Sequence, residues 1–141
     1  MSDLLIIGGG PAGVAAGVYA ARKCLSTTLI TDEVGGQSVV SSGIENWIGI
    51  PKISGADLAK ALLSHIEAVQ GEHLTLARRE YVVSLTREGD HFVATTKSGK
   101  TFAGRTVLIA TGAGRRTLSV PGADIFEHKG LTYCASCDGP L

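Results

Sequence analysis

A glycine-rich segment near the N-terminus constrains the fold more than any other part of the sequence. This segment, Gly8–Gly13, follows the apolar run Leu4–Ile7 and precedes a stretch of small residues that ends at Lys23. The apolar run is typical of a strand buried on both faces of a parallel sheet, and the small residues predict a slim helix. With the β-branched run Thr27–Thr31, residues 4–31 have the size of a βαβ unit, about 30 residues. The sequence therefore predicts an α/β fold with a parallel sheet.

The glycines fit the spacing G-x-G-x-x-G between a predicted strand and a predicted helix, which is the context that a dinucleotide-binding turn requires. Gly8 permits the tight turn, Gly10 lets the backbone approach a pyrophosphate, and Gly13 lets helix and strand pack closely. A helix that begins at Pro11 and Ala12 presents N–H groups and positive potential to phosphates. For the motif alone, a glycine-rich turn without a ligand remains the alternative.

Two acidic residues, Asp32 and Glu33, are predicted to lie just past the second strand. Their distance from Gly8 is close to the spacing of about 20 residues at which a carboxylate meets a ribose hydroxyl. Asp32 is the better candidate because it directly follows the strand. Two solvated acidic residues would give the same pattern, so the sequence leaves both interpretations open.

Three different sequence patterns follow one another in the middle of the chain: a loop, a helix and a set of short strands. Residues 33–53 lack periodicity and contain several glycines, which predicts an ordered functional loop. Ser54 and Asp57 then have capping-box spacing, and apolar residues at helical spacing continue until Gly71. Beyond this helix, turn signals separate short β-rich runs, which predicts an antiparallel meander inserted in the parallel sheet. The runs are Tyr81–Thr86, His91–Thr96 and Thr101–Ala103, followed by a predicted buried strand at Val107–Ala110.

Cys134 and Cys137 form a C-x-x-C motif that is followed by Asp138. In a cytosolic α/β protein this motif is either a redox dithiol or half of a zinc site. Zinc is the weaker interpretation because no second Cys/His pair exists, so no metal site is expected. Thiols at this spacing can close a small disulfide ring, and Asp138 could move a proton to or from a thiol. Cys24 is expected to be a packed small hydrophobe.

Composition excludes several classes of protein. Thirteen basic residues balance thirteen acidic ones, so neither nucleic acid nor an anionic membrane surface is an expected partner. A hydrophobic content of 44% with 18% charged residues predicts a folded chain. Glycines and Pro11 interrupt the uncharged stretch Leu4–Ala21, so it is predicted to be neither a membrane span nor a signal peptide. An odd number of cysteines without a leader predicts a cytoplasmic protein.

With its motifs taken together, the sequence resembles the low-molecular-weight thioredoxin reductases. It resembles equally the flavoprotein subunit of bacterial alkyl hydroperoxide reductase. The resemblance covers all 141 residues. It implies a Rossmann-like FAD-binding domain, with FAD rather than NAD at Gly8–Gly13. The motifs that carry it are Gly8–Gly13, Gly35-Gly36-Gln37, Glu45-Asn46-Trp47, Ala110-Thr111-Gly112, Pro121-Gly122 and Cys134–Asp138.

The resemblance also implies further cofactor contacts. Residues Gly35, Gly36, Gln37 and Asn46 would line the flavin and its ribityl chain. The pair Thr111-Gly112 would close over the cofactor where the chain re-enters the sheet.

For the dithiol, the resemblance implies that Cys137 exchanges electrons with the flavin and that Cys134 attacks a protein disulfide. Asp138 matches the proton donor of the family. Arg115 and Arg116 follow the Ala-Thr-Gly motif, where an arginine is common, although a solvated surface position is an equal alternative.

The sequence departs from the family in one respect. A second glycine motif for NADPH and a returning Gly-Asp segment follow the cysteines in the family but not here, so the fold is expected to be incomplete. Residues 1–115 would be the FAD-binding domain, and residues 116–141 would connect into a truncated NADPH domain. Without the NADPH motif the chain alone is expected to lack NADPH-driven turnover, and the missing strand predicts self-association through an open sheet edge.

The expected function is FAD-dependent protein-disulfide reduction of the thioredoxin reductase type. Electrons would pass from NADPH to FAD, then to the Cys134–Cys137 disulfide, and then to thioredoxin or a thioredoxin-like protein; a homodimer is possible. One alternative is the flavoprotein subunit that reduces a peroxiredoxin system. Another is a non-catalytic flavin-binding module. A ferredoxin or flavodoxin reductase is disfavoured because it would not need the C-x-x-C motif.

Overall fold

A computed structural model describes residues 1–114, 117–126, 129–131 and 133 of the chain. No helix in these residues is long and apolar enough to cross a membrane. Within these described residues the secondary structure consists of six strands, three α-helices and a short 3₁₀ helix. In chain order they are β1 (Ser2–Gly9), α1 (Pro11–Arg22), β2 (Thr27–Val34), the 3₁₀ helix (Gly36–Val40), α2 (Gly55–Ala68), β3 (Leu74–Arg78), β4 (Val82–Glu88), β5 (His91–Thr96), β6 (Thr101–Ile109) and α3 (Ala123–Phe126).

All six strands belong to one mixed sheet with the order β3-β2-β1-β6-β5-β4. Strand β1 pairs in parallel with β2 on one side and with β6 on the other, and β2 pairs in parallel with β3. Strands β4, β5 and β6 form antiparallel pairs. The predicted α/β class, the first βαβ unit and the inserted meander are therefore confirmed.

Helices α1 and α2 cover one face of the parallel strands. The small residues of α1 bring it close to the sheet: a Cβ atom on Gly17 would lie 2.9 Å from Ile66 Cδ1 and 3.2 Å from Leu29 Cδ1. Ser54 caps the start of α2, as its spacing to Asp57 predicts: the Asp57 N–H donates a hydrogen bond to Ser54 Oγ over 3.1 Å, and the Ser54 hydroxyl donates to Asp57 Oδ2 over 2.6 Å. The buried core of this face is formed by Ile6, Val14, Val18, Leu29, Leu58, Leu62, Ile66 and Leu74.

The meander covers the opposite face of the parallel strands. Leu5, Ile7 and Ile30 point to this side and are buried together with Ala94 of β5. Partly buried residues of the meander pack against them, among them Leu85 of β4. The parallel sheet is thus enclosed by helices on one side and by its own antiparallel extension on the other.

Strand β6 corrects two expectations. The sequence predicts separate strands at Thr101–Ala103 and Val107–Ala110, but one continuous strand spans both, pairing first with β5 and then with β1. Its last residues are also not buried, since Leu108 and Ile109 are 39% and 66% exposed. Their sequence is apolar enough for a buried strand, but β5 pairs only with residues up to Gly104.

Two further differences concern short segments. No strand is predicted from the sequence at Leu74–Arg78, whereas these residues form β3, which pairs in parallel with β2 at the sheet edge. Cys24 is predicted to be packed, but it is exposed and lies beyond the end of α1 with a positive φ of 57°. The helix ends at Arg22, so the thiol falls in the turn that leads to β2 rather than on the packed helix face.

Candidate cofactor-binding site

A pocket of about 1020 Å³ lies where the parallel strands end. In open α/β sheets this edge is where ligands bind, because the loops that follow the strands meet there. Most of the residues predicted to bind a cofactor line it. They are Gly8, Gly10, Pro11, Ala12, Asp32, Glu33, Gly36, Gln37, Thr111 and Gly112.

The glycine turn forms the floor of the pocket. Gly8 has a φ of +112°, which only glycine adopts readily, and a Cβ atom there would collide with the carbonyl of Ala110. A Cβ atom on Gly13 would collide with the carbonyl of Gly8, so helix α1 and strand β1 can meet here only because Gly13 lacks a side chain. By contrast, a Cβ atom on Gly10 would meet no protein atom within 4 Å. The space above Gly10 is open for a ligand.

The N-terminus of α1 faces this open space. Gly10 is its N-cap and provides no side-chain cap, Pro11 has no N–H, and the first turn carries no acidic residue. The first N–H groups of a helix have no partner within the helix, and they attract anions together with the helix dipole. The twelve-residue helix α1 therefore provides N–H groups suited to a phosphate.

The two acidic residues lie differently from the prediction. Strand β2 continues to Val34, so Asp32 and Glu33 belong to its last residues and do not follow it. The register between β1 and β2 shifts at this point, and the Thr31 hydroxyl donates a hydrogen bond to the Glu33 carbonyl over 2.6 Å. Both acidic side chains are exposed and line the pocket.

The 3₁₀ helix forms another wall. Gly36 and Gln37 begin it, and Gly36 has a φ of +56°. Gly35 has a φ of +109° and does not line the pocket; a Cβ atom there would lie 2.6 Å from Ala59 Cβ, so this glycine allows the loop to pack on α2.

Some predicted residues lie away from the pocket. Gly13 is buried beneath the glycine turn. Asn46 is exposed in a separate depression formed by residues 45–51. Cys134, Cys137 and Asp138 lie outside the described residues, as do Arg115 and Arg116. Within the described residues no group of three or more His, Cys, Asp or Glu side chains could hold a metal ion.

The structure also adds residues that the sequence interpretation missed. The main addition is Glu80-Tyr81-Val82, which comprises the end of the turn after β3 and the first residue of β4, and the other additions include Ala113 and Gly114. The available signal was the short run Leu74–Arg78: if it is assigned as a third parallel strand, the residues after it fall at the ligand-binding edge of the sheet.

The pocket combines three features that fit a dinucleotide: open space above Gly10, free N–H groups at the start of α1, and carboxylates at the end of the neighbouring strand. The sequence profile of a family described as "Pyridine nucleotide-disulphide oxidoreductase" matches residues 2–141. The chain belongs to this family. Its thioredoxin reductase-like members bind FAD and, as complete enzymes, use NADPH.

Relatives within the pyridine nucleotide-disulphide oxidoreductase family include an alkyl hydroperoxide reductase subunit of Escherichia coli, which is 40% identical over 139 residues. The alignment covers 99% of this chain and 27% of that protein. A protein named NADH dehydrogenase from Bacillus subtilis is 36% identical, with 99% and 26% covered. The chain therefore spans about a quarter of the length of these relatives.

Among solved structures, the thioredoxin reductase of Streptococcus pyogenes matches with a TM-score of 0.81 and 38% identity, covering 99% of this chain and 44% of that one. The thioredoxin reductase of Lactococcus lactis matches with a TM-score of 0.80 and 34% identity, covering 99% and 45%. These matches confirm the Rossmann-like fold and the resemblance stated from the sequence.

Proposed function

We propose that this chain forms the FAD-binding part of a protein-disulfide reductase of the thioredoxin reductase type. The observation that carries the proposal is the pocket, where the turn Gly8–Gly13, the open N-terminus of α1 and two carboxylates face the same space. FAD, when bound, would supply the redox chemistry by which two electrons pass from NADPH, a hydride donor, to a disulfide. Residues 1–115 would form the FAD-binding domain, and residues 116–141 would lead into the NADPH domain.

The described residues would bind and orient the dinucleotide. The N–H groups at the start of α1 would donate hydrogen bonds to the phosphates, and the missing side chain of Gly10 would let them approach. Asp32 or Glu33 would accept a hydrogen bond from a ribose hydroxyl, as carboxylates at this position do in dinucleotide-binding folds. The residues proposed for the flavin end are Gly35, Gly36, Gln37, Asn46, Thr111 and Gly112.

The dithiol would carry the reduction to the protein substrate. In the reduced state, the Cys134 thiolate would attack a disulfide sulfur of the partner and form a mixed disulfide. The Cys137 thiolate would then attack Cys134 Sγ, which releases the partner as a dithiol and restores the Cys134–Cys137 disulfide. Asp138 would donate the proton that a leaving thiolate takes up.

The proposed partner is thioredoxin or a thioredoxin-like protein, in a complete enzyme that works in the cytoplasm as a homodimer. Two of the solved relatives are thioredoxin reductases. A second candidate is reduction of a peroxiredoxin system, which is favoured by the identity to the Escherichia coli alkyl hydroperoxide reductase sequence. Both candidates use the same pocket and dithiol, and the complete enzyme's turnover with each partner distinguishes them.

A Gly10→Val substitution tests the pocket. Gly10 has a φ of −70°, which valine tolerates, and its Cβ position meets no protein atom within 4 Å. The new side chain would fill the phosphate space without disturbing the core, so FAD affinity is expected to fall at least about 100-fold with little change in stability, because a displaced phosphate loses several hydrogen bonds. Fluorescence titration with FAD measures this.

The matched control is Gly43→Ala, outside the pocket, where the new Cβ atom would meet only the end of the exposed Lys52 side chain, 3.1 Å away. This variant is expected to bind FAD like the unchanged chain. If Gly10→Val also binds normally, the dinucleotide does not occupy the space above Gly10 and the proposal fails.

Thiol trapping separates a reductase from a non-catalytic flavin module. A reductase requires that Cys134 and Cys137 form a disulfide that a dithiol reductant opens and an oxidant restores. Mass spectrometry after alkylation counts the two thiols in each state, and Cys24, which is exposed, provides an internal reference for alkylation. If Cys134 and Cys137 can still be alkylated after treatment with the oxidant, they form no disulfide, and this result would favour the non-catalytic flavin module.

A further inference from the structure

One carboxylate beside the pocket has no part in the function proposed above. Glu80 lies in the turn between β3 and β4, and its side chain is only 6% exposed. Lys100 Nζ lies 2.6 Å from Glu80 Oε1, and the Ser98 hydroxyl donates a hydrogen bond to Glu80 Oε2 over 2.7 Å. A buried carboxylate is costly unless it is paired in this way. Its partners come from the turn between β5 and β6, so Glu80 ties two turns together.

The turn that Glu80 fixes has a strained backbone. Arg79 has a φ of +59°, a conformation that residues other than glycine rarely adopt. Backbone hydrogen bonds hold it against β2, where the Arg79 N–H donates to the Asp32 carbonyl over 3.2 Å and the Glu80 N–H donates to the Thr31 carbonyl over 3.1 Å. The turn after β3 is therefore attached directly to the strand end that carries the proposed ribose-binding carboxylates.

The Glu80 carboxylate stays ionised under ordinary conditions. Hydrogen bonds from Lys100, Ser98 and Thr96 lower the pKa of Glu80 to about 2. The Lys100 side chain is 66% exposed, so it reaches from the surface to pair its Nζ with the buried acid. The link between the two turns persists across the pH range in which the protein would work.

The position of this turn suits it to contact the adenosine end of a bound dinucleotide. Glu80, Tyr81 and Val82 line the pocket. They follow β3, which β2 separates from β1 and the glycine turn. If the phosphates lie at the start of α1 and a ribose lies at the end of β2, the next group outward is the base of the adenosine, which would lie against the turn after β3.

We infer that Glu80 is a positioning residue for the adenosine half of FAD: its bonds to Lys100 and Ser98 fix the backbone of Tyr81 and Val82 as the wall against which the adenine lies. The inference rests on the proposed function. It requires no contact between the Glu80 carboxylate and the nucleotide.

The test is a Glu80→Gln substitution with titrations of FAD, ADP and UDP. Glutamine keeps the size of the side chain but loses the ion pair, so affinity for FAD and for ADP is expected to fall by the same factor, about tenfold, which corresponds to one charge-assisted hydrogen bond. The preference for ADP over UDP is expected to shrink as well, because the displaced wall no longer selects the base. Lys100→Met removes the same ion pair from its exposed partner and is expected to lower both affinities and the ADP preference in the same direction.

The matched control is Glu67→Gln, which breaks the surface pair of Glu67 with Arg78, 3.0 Å apart and outside the pocket. This control is expected to leave FAD affinity and the preference for ADP unchanged. Normal ADP preference in Glu80→Gln and Lys100→Met would overturn the inference, even if both are less stable, because it would give Glu80 a structural role alone. If the unchanged chain binds neither FAD nor ADP, the proposed function fails first and the inference fails with it.

Discussion

Strands β1 and β6 are neighbours with similar apolar sequences, yet their surroundings differ. In β1, Ile6 is fully buried and Ile7 is 7% exposed. The residues opposite them in β6 are Leu108 and Ile109, which are 39% and 66% exposed. Strand β1 has a paired strand on both sides, whereas among the described residues the second half of β6 pairs only with β1.

The difference shows that an apolar run specifies a strand but does not specify what covers it. In its first half β6 is covered only in part: Thr101 is exposed and Phe102 and Ala103 are half-buried, whereas Gly104 is buried and a Cβ atom there would lie 2.5 Å from Leu5 Cγ. Strand β5 pairs with Thr101–Gly104 and β1 pairs with residues from Gly104 to Ile109, so Gly104 has a partner on both sides. Burial in this sheet therefore follows the positions of α1, α2 and the meander, which the sequence of β6 itself does not contain.

The largest effect on stability is expected when two isoleucines that face each other across the β1–β6 pair are each replaced by alanine. Ile7→Ala is expected to lower the free energy of unfolding by about 3 kcal/mol, because it removes buried methyl groups and leaves a cavity. Ile109→Ala removes the same atoms from an exposed position and is expected to cost less than about 1 kcal/mol. Urea denaturation measures both. Equal losses would contradict the contrast between the strands.

A smaller effect is expected from adding volume to the two halves of β6. Gly104→Ala places a methyl group against the Leu5 side chain and is expected to cost about 2 kcal/mol through overpacking. Ile109→Phe enlarges a side chain that is already exposed, so its cost should lie within about 0.5 kcal/mol. Thermal unfolding of both variants gives the comparison, which breaks down if the phenylalanine is the more damaging change.

A charge on the second half of β6, where β5 no longer pairs, is expected to change stability least. Its main expected effect is on self-association. An unpaired edge with apolar side chains favours pairing with another copy, and lysine on an edge strand opposes it. The unchanged chain is expected to self-associate as its concentration rises, and Ile109→Lys is expected to reduce this with a change in stability within about 0.5 kcal/mol. Light scattering over a concentration series measures it. A monomeric unchanged chain at high concentration would refute the expectation.

Much of the fold follows from local sequence signals. The apolar run before Gly8 and the capping box at Ser54 predict β1 and α2, because burial and capping there depend on residues close in the chain. Strand β3 and the union of the two predicted strands into β6 depend on pairing partners far away in sequence. Cys24 shows a different limit, the uncertain end of a helix: α1 ends at Arg22, so the thiol lies in the following turn and is exposed.

The candidate site could be predicted where a motif has a backbone reason. The glycine motif identifies the floor of the pocket because its conformations and close contacts exclude side chains. Glu80 could not be found in this way, since its partners Lys100 and Ser98 are distant in sequence and the strand before it has only a weak local signal. The roles of Cys134, Cys137 and Asp138 remain predictions from the motif and the resemblance.

The visible absorption spectrum of the purified chain, after incubation with FAD and removal of free cofactor, tests the central claim most directly. The pocket at the ends of the parallel strands predicts a retained flavin band, with the bound flavin in about equimolar amount to a chain that has one such site. A colourless protein would contradict the claim that the glycine turn, the start of α1 and the carboxylates of β2 form a competent FAD site in this chain.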